Sequence, residues 1–369
     1  MYSARVVTSL EEFHALESPW EHLLKQTACD NIFLTWEWLY TWAVHYLDGN
    51  RLWIILVYKG KDHLVGIAPF YIQRGSSLGI LSVRELRFLG TGEVCSSYLD
   101  FIVPEGEKRS VLECIYSHLH GEAASEWDTL TLAEVPAESS TIDLWEESVQ
   151  QAGRLMEIVG TTVCPVIQLT GELEDFLGTI GGNERYNLQR KRKRLEQVGH
   201  VTYQRVSSSE ETEGALDTFI RLHEMRWEQK GPGGVFRSGR FLSFQRDIVR
   251  LFAKKGWVYL DFLLLDGEAI AGIYGYGYNR RYSFYLPGFN PTIAPRASPG
   301  IILLFQCVKE AISGNYKEFD LLRGLADYKR AWANGLRRSL TLRYYNRDLR
   351  AAAVKLVESG KAVAKVLVR

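Results

Sequence analysis

The spacing of hydrophobic and polar residues changes from a helical to a strand period along the chain, and the same succession occurs twice. Ser9 and Glu12 form a capping-box pattern before apolar residues at helical spacing, which predicts a first helix. Thr35 is predicted to cap a second helix. The period then changes to that of strands at 52–58 and 64–73, which predicts a hairpin.

The remaining elements follow from the same two periods. In the first half we predict strands at 85–89, 98–103, 129–133 and 163–169, and helices at 108–120 and 142–152. In the second half we predict helices at 215–229, 238–254, 300–313 and 327–333, and strands at 257–265, 268–278, 281–286, 318–322 and 339–345.

The two halves share a hairpin pattern, because the segments WIILVY and LVGIAPF of the first half correspond to WVYLDF and IAGIYGY of the second. This similarity predicts two copies of one α/β fold. The predicted organisation has four parts: a first module at 1–170, a linking segment with a basic helix at 171–200, a second module at 201–346 and a C-terminal amphipathic helix at 347–369.

Four local strings point to a family: YNLQRKRKRL from Tyr186, SPGIILL from Ser298, EFDLLRG from Glu318 and YKRAW from Tyr328. Together with the order of elements, they resemble the CelD-like or BioF2-like double-module acetyltransferases of the Gcn5-related N-acetyltransferase superfamily. The resemblance covers about residues 31–345, and through the same fold it extends to the Fem-type aminoacyltransferases. It implies a tandem duplicated acetyltransferase fold with mixed, mostly antiparallel sheets flanked by helices.

This resemblance also implies an activity. Family members often act in cellulose, exopolysaccharide or other envelope pathways, so we expect transfer of an acyl group, acetyl in the first instance, from acyl-coenzyme A to an amine or hydroxyl of a sugar or envelope precursor. Two alternatives remain: a Fem-type transferase that uses aminoacyl-tRNA, and an inactive accessory subunit of polysaccharide synthesis. A blocked cofactor groove would favour the accessory subunit.

The resemblance places the coenzyme pyrophosphate at the start of the helix predicted from residue 300, where backbone N–H groups and the helix dipole favour an anion. The implied cofactor-binding residues are Arg296, Ala297, Ser298, Gly300 and Ile301. The usual Arg/Gln-x-x-Gly-x-Gly/Ala signature is absent and Pro299 lacks an N–H. The alternative is a proline-started helix after an ordinary loop.

Candidate catalytic residues follow the predicted strand at 318–322. Asp320 lies in an otherwise apolar strand and is a candidate base or amine anchor, with a salt bridge to Arg323 or Arg330 as the alternative. Asp327 and Lys329 follow at the strand-to-helix turn. Lys329 is the favoured residue because Fem-type enzymes place a lysine in a comparable string; its alternative is a solvated helix lysine.

Acceptor-binding candidates come from both halves. Trp36 and Glu37 lie on an aromatic helix, one face of which suits a sugar or acyl surface, although burial between the modules is the competing interpretation. In the second half Glu224, Arg226 and Trp227 occupy the corresponding helix, with an amphipathic surface as the alternative. The other acceptor candidates are Tyr285, Arg323, Tyr328 and Arg330.

Charge is balanced overall, with 44 Lys and Arg against 44 Asp and Glu, which argues against a DNA-binding protein. It is concentrated at 185–194, where clustered Arg and Lys predict a helix with a positive face. That face is either simply solvated or acid-paired, or it binds phosphates of coenzyme A or of a nucleotide- or lipid-linked acceptor, with nucleic acid the least favoured partner.

The cysteines and the two ends of the sequence bear on disulfides, metal sites and membrane contact. The five cysteines occur singly, which argues against disulfides and a metal site. The sequence has no secretory signal pattern and no long apolar run, so we expect a cytoplasmic protein. The predicted C-terminal helix has an excess of Lys and Arg, and it either docks on the second module or makes a weak peripheral contact with an anionic membrane.

Overall fold

The computed structural model describes residues 1–77, 81–153, 155–169, 171–228, 231, 233–346, 352 and 355. They form two compact units: unit 1 from residues 1–162 and from residue 338 onward, and unit 2 from residues 163–337. The predicted C-terminal helix at 347–369 lies outside the described residues except for Ala352 and Lys355. Over the described part of the chain, no helix is long and apolar enough to cross a membrane.

The elements occur in the following chain order: β1 Tyr2–Val7, α1 Leu10–His14, α2 Glu17–Leu24, α3 Trp36–Tyr46, β2 Arg51–Lys59, β3 His63–Ser77, β4 Leu81–Phe88, α4 Lys108–His120, β5 Thr129–Pro136, α5 Ser140–Gln151, β6 Glu157–Gln168, α6 Leu173–Thr179, α7 Gly182–Glu196, β7 Val201–Val206, α8 Thr212–Glu228, α9 Gly239–Lys255, β8 Val258–Leu265, β9 Glu268–Tyr278, β10 Arg281–Phe289, α10 Pro299–Ser313, β11 Glu318–Asp320, α11 Asp327–Trp332 and β12 Gly335–Tyr345. Short 3-10 helices occur at Ile32–Leu34, Glu105–Glu107, Val235–Arg237 and Pro295–Ala297.

The sheets of the two units have equivalent strand orders, which confirms the tandem duplicated fold. Unit 1 has the order β1-β2-β3-β4-β5-β12 and unit 2 has the order β7-β8-β9-β10-β11-β6. In each sheet one neighbouring pair is parallel, β4 with β5 and β10 with β11. The sixth strand of each sheet comes from the distant end of the other copy: β12 pairs with β5, and β6 pairs with β11.

The unit boundary therefore differs from the predicted boundary at residue 170. Val166 and Ile167 are opposite Asp320 and Phe319 in the sheet of unit 2, so the strand predicted at 163–169 belongs with the second copy. The predicted linking segment at 171–200 contains α6 and α7, and buried side chains of both helices belong to the core of unit 2.

The structure confirms most of the predicted elements. Ser9 and Thr35 both cap helices through their side-chain oxygens, and the helix at 108–120 and the strand at 268–278 have their predicted bounds. The strand predicted at 98–103 is wrong. That segment is buried irregular chain with a single bridge from Ile102 to Ile67. β1 and β7 were not predicted, because each lies at a sheet edge and buries only its last side chain.

The aromatic helix α3 packs inside unit 1. Trp36 is buried, stacks on Tyr40 at 4.6 Å between ring centres and donates its indole N–H to the Phe13 carbonyl. Glu37 is also buried. Trp38 is fully buried and donates to Ser96. Packing thus accounts for this helix, and it gives no support to the predicted contact of Trp36 and Glu37 with an acceptor.

The sheet of unit 2 is covered on both faces. Ala271, Ile273, Tyr282 and Phe284 face a core that includes α10. The alternate positions face α8, where a Cβ added to Gly272 would lie 3.0 Å from the Phe219 ring. Because residues of a strand alternate between faces, α8 and α10 pack on opposite sides of the sheet.

Candidate functional site

The middle of β10 contains a β-bulge. The register with β9 shifts between Phe284 and Leu286, so Tyr285 is an extra residue in this strand. A bulge reverses the alternation of side chains that follow it. As a result Phe284, Pro287 and Phe289 all line one cavity. Gly288 instead faces α8, where an added Cβ would lie 2.6 Å from the backbone nitrogen of His223.

Strands β10 and β11 stop pairing after Ser283 and Asp320, just before the bulge. They pair in parallel only from Arg281 to Ser283 of β10. β11 ends at Asp320, whose Oδ1 accepts a hydrogen bond from the Leu322 N–H at 2.8 Å, and Leu322 adopts a left-handed backbone with φ of 52°. This turn directs the chain away from β10 and leaves an opening between the two strands.

A cavity of about 410 Å³ occupies this part of unit 2. Its walls are mostly apolar and contain no acidic side chain among the described residues. The lining residues are Arg226, Phe284, Pro287, Phe289, Asn290, Pro291, Ile293, Ser298, Pro299, Gly300, Ile301, Leu304 and Tyr328.

The N-terminus of α10 forms one wall of the cavity. Ser298 precedes it in a left-handed conformation with φ of 50° and makes no side-chain cap. The Ile301 N–H is bonded to the Ser298 carbonyl, while the Gly300 N–H has no acceptor among the described residues. Helix N-termini carry a positive dipole end and spare donors, so this wall favours an anionic group.

The predicted cofactor residues divide into two groups. Ser298, Gly300 and Ile301 line the cavity. Ala297 is buried in the core of unit 2, and Arg296 is exposed on the short 3-10 helix and is not a lining residue. Ala297 therefore anchors the loop by packing.

Lys329 is a buried cation next to the cavity. Its Nζ donates to the carbonyl oxygens of Leu321 at 2.6 Å and Arg323 at 2.8 Å, and it lies 5.7 Å from the centre of the Phe284 ring. Desolvation lowers the pKa of Lys329 to about 8. The alternative of a solvated lysine is therefore wrong, and the ammonium holds the loop that follows β11.

The other predicted polar residues of this region have different environments. Asp320 is fully buried, and its Oδ2 lies 3.6 Å from Nη1 of Arg337 in an ion pair. Asp327 is exposed and pairs with Arg330 at 2.7 Å. Asp320 therefore acts on the site through the Leu322 turn, and Asp327 and Arg330 form a surface ion pair.

Tyr328 and Tyr285 lie on opposite sides of the sheet. Tyr328 lines the cavity, and desolvation raises the pKa of its hydroxyl. The Tyr285 hydroxyl accepts a hydrogen bond from Gln245 at 3.0 Å, within a buried network that includes Tyr274 and Tyr276. Tyr285 therefore sets the bulge from the α9 side, and its side chain does not line the cavity.

Helix α8 brings two further side chains to the bulged strand. The Pro287 carbonyl is contacted by His223 Nδ1 at 3.0 Å and by Arg226 Nη1 at 3.3 Å. His223 was not predicted, since a single histidine in an amphipathic helix gives no signal. Glu224 and Trp227, which were predicted, are half-buried, and the Trp227 ring lies 6.1 Å from the His223 ring.

His223 gives the protein an acid sensitivity. Desolvation lowers its pKa to about 4, whereas an unfolded histidine has a pKa of about 6.5. Below pH 6.5 the unfolded chain binds the proton first, so the free energy of unfolding falls, by ~2 kcal/mol from this residue at pH 5. We expect urea unfolding to show a smaller decrease in the free energy of unfolding between pH 7 and pH 5 for His223→Gln than for wild-type protein, by that ~2 kcal/mol.

The exposed His200→Gln variant serves as the control and should keep the wild-type difference between the two pH values. An unchanged difference in His223→Gln would mean that other groups cause the acid sensitivity.

The predicted basic helix is α7. Leu188 and Leu195 are buried on one side, and α7 packs against the 3-10 helix Pro295–Ala297 and against α10. Arg185, Lys193 and Arg194 are exposed. A positive surface therefore lies beside the loop that leads into α10. Across the described residues, no cluster of His, Cys, Asp and Glu side chains could hold a metal ion.

Comparison with known proteins finds one family match, which lies within the second unit. Residues 182–330 match the family described as "Acetyltransferase (GNAT) domain". No curated protein matches the sequence.

Three solved structures share the fold over nearly the whole chain. FemX is 12% identical with a TM-score of 0.62, covering 96% of this chain and 100% of its own. The C-terminal domain of a putative lysylphosphatidylglycerol synthetase from Agrobacterium fabrum is 12% identical with a TM-score of 0.51, covering 95% and 97%. A tandem GNAT protein from the clavulanic acid biosynthesis pathway is 11% identical with a TM-score of 0.50, covering 94% and 99%. Residues 182–330 are thus similar to an acetyltransferase (GNAT) domain, and the chain has a double-module GNAT-like fold of the kind found in FemX and the tandem GNAT protein.

Proposed function

We propose that unit 2 transfers an acyl group from acyl-coenzyme A to an amine or hydroxyl of a sugar or cell-envelope precursor. The observation that supports this most directly is the cavity between the bulged β10 and the N-terminus of α10. Its mostly apolar walls suit the acyl-pantetheine arm, and the α10 terminus suits the diphosphate.

The residues that would hold the donor follow from this arrangement. Gly300 and Ser298 line the cavity at the N-terminus of α10, where backbone groups would meet the diphosphate, while Phe284 and Phe289 would contact the arm. A Cβ added to Gly300 would lie 3.6 Å from the Phe289 ring, so glycine leaves space at this wall. The nucleotide end would extend toward the exposed cations of α7.

The proposed reaction needs no covalent enzyme intermediate. The acceptor nitrogen or oxygen attacks the thioester carbonyl, a C–N or C–O bond forms, the C–S bond breaks, and the acceptor's proton balances the departing thiolate. Lys329 would act mainly as a positioning residue, because its ammonium fixes the carbonyls of Leu321 and Arg323 beside the cavity. Tyr328 has a hydroxyl that stays protonated at neutral pH, and it could donate that proton to the thiolate.

A Fem-type reaction with aminoacyl-tRNA is the second candidate, supported by the shared fold of FemX and by the exposed cations of α7. An accessory subunit without activity is less well supported, because the cavity beside α10 is open.

A thermal-unfolding screen distinguishes the two donors. We expect acetyl-coenzyme A or a longer acyl-coenzyme A to raise the unfolding temperature, since a ligand at 100 times its Kd stabilises by ~2.7 kcal/mol. Mass spectrometry of acceptor mixtures then identifies acylated products. Stabilisation by charged tRNA and by no acyl-coenzyme A would overturn the proposal in favour of the Fem-type reaction.

A further inference from the structure

Arg226 is a cation in the cavity wall without a carboxylate partner. Its guanidinium lies 5.6 Å from the centre of the Trp227 ring and 5.7 Å from the centre of the Phe289 ring. Its recorded hydrogen bond goes to the Pro287 carbonyl at 3.3 Å, and no Asp or Glu pairs with it among the described residues. A guanidinium has five N–H donors, so most of its hydrogen-bonding capacity remains available.

The surroundings make this arrangement costly without a ligand. A charged group in apolar surroundings loses hydration, and an anionic partner restores that loss. Desolvation also lowers the pKa of Arg226, which agrees with this view of its environment. Arg226 is half-buried in the cavity wall, so an anion that enters the cavity would offset the hydration that its guanidinium has lost.

The charges around the cavity all favour an anion. The lining contains no acidic side chain, and Lys329 lies behind Phe284. Asp320, a carboxylate that raises the pKa of Lys329, already accepts from the Leu322 N–H and pairs with Arg337. No described carboxylate of the wall is thus available to neutralise Arg226.

The position of Arg226 indicates which substrate supplies the anion. α8 and α10 lie on opposite faces of the sheet, and Arg226 approaches the bulged strand from the α8 side. A donor held at the α10 terminus occupies the other wall. An acceptor that approaches the acyl carbon from the α8 side would meet Arg226, which lines the same cavity.

We propose that Arg226 binds a carboxylate or phosphate group of the acceptor, so that the acceptor is an anionic amine or alcohol. This inference rests on the proposed function, because it assigns the α10 wall to the donor. Arginine suits such a group because its planar fork can bind two oxygens of one anion.

Matched pairs of acceptors test the inference. Glucosamine 6-phosphate is compared with glucosamine, and D-alanine with D-alaninamide, on protein saturated with acetyl-coenzyme A. We expect wild-type protein to favour the member that carries the phosphate or carboxylate by about 10- to 100-fold in binding, measured calorimetrically, and in kcat/KM where turnover occurs. Arg226→Gln should bring the ratio close to one, while Arg226→Lys should keep part of it.

Arg221→Gln is the matched control, because Arg221 is an exposed arginine of the same helix and does not line this cavity. It should leave the ratio unchanged. An equal affinity of wild-type protein for both members of each pair overturns the inference, as does a ratio that persists in Arg226→Gln. Weaker donor binding in Arg226→Gln with unchanged acceptor preference would also overturn it. Failure of wild-type protein to bind acetyl-coenzyme A contradicts the proposed function instead.

Discussion

Replacing Gly300 by glutamate should abolish acyl-coenzyme A binding while unit 2 stays folded. Gly300 lines the cavity at the second residue of α10, and its added Cβ would make only ordinary contact with Phe289. A carboxylate about 4 Å from a phosphate charge costs up to ~4 kcal/mol at an effective dielectric constant near 20. We therefore expect the Kd measured by calorimetry to rise at least ~100-fold.

The fold should tolerate this substitution because an acidic side chain in the first turn of a helix interacts favourably with the helix dipole. Gly300→Gln is the control: it has the same size without the charge, and it should weaken binding much less. Equal losses in both variants would point to steric blockage, and wild-type affinity in the folded glutamate variant would place the donor elsewhere.

Replacing Lys329 by methionine should lower kcat on the order of 100-fold, because a displacement of about 1 Å at a reaction site can cost that much in rate. The ammonium fixes the carbonyls of Leu321 and Arg323, so its removal frees the loop that borders the cavity. In steady-state kinetics we expect kcat/KM of wild-type protein to fall as pH rises through about 8, the pKa of Lys329, because the neutral amine donates more weakly.

Stability should change little in Lys329→Met. Loss of two hydrogen bonds destabilises the fold, whereas removal of a desolvated charge stabilises it, and the two effects are of similar size, ~2–3 kcal/mol each. Arg330→Met is the control, since Arg330 is the exposed neighbour on the same helix. Wild-type kcat in Lys329→Met would limit this lysine to a structural role. Asp320 is fully buried and accepts the Leu322 N–H, so we propose an indirect role for it, through the turn that follows β11.

Periodicity predicted those elements whose burial is one-sided. The helix at 108–120 buries Val111, Leu112 and Ile115 on one face, and its bounds could be found from the sequence. The segment from Tyr98 to Val103 is buried throughout without being a strand, because Tyr98 has a left-handed backbone and Asp100 bonds to side chains near α5. A continuous apolar run does not distinguish these cases.

The site was partly predictable for a similar reason. The family resemblance predicted that Gly300 and Lys329 belong to the site. Gly300 lines the cavity, and the Lys329 ammonium lies 5.7 Å from the ring of Phe284, a residue of its wall. The predicted strand through Leu322 is too long, since β11 ends at Asp320 and the chain turns at Leu322. His223 and Arg226 of α8 both contact the Pro287 carbonyl, which follows the bulge in β10. The spacing of residues along the sequence does not reveal this bulge.

The exchange of final strands has a consequence for synthesis on the ribosome. Unit 2 is one continuous stretch, residues 163–337, so all of it is available as soon as residue 337 has left the exit tunnel. Unit 1 starts earlier but lacks its last strand until residues 338–345 follow, and until then β5 has an open edge with buried Leu130, Leu132 and Val135. Unit 1 therefore begins first but is completed last, after the whole of unit 2 has been synthesised.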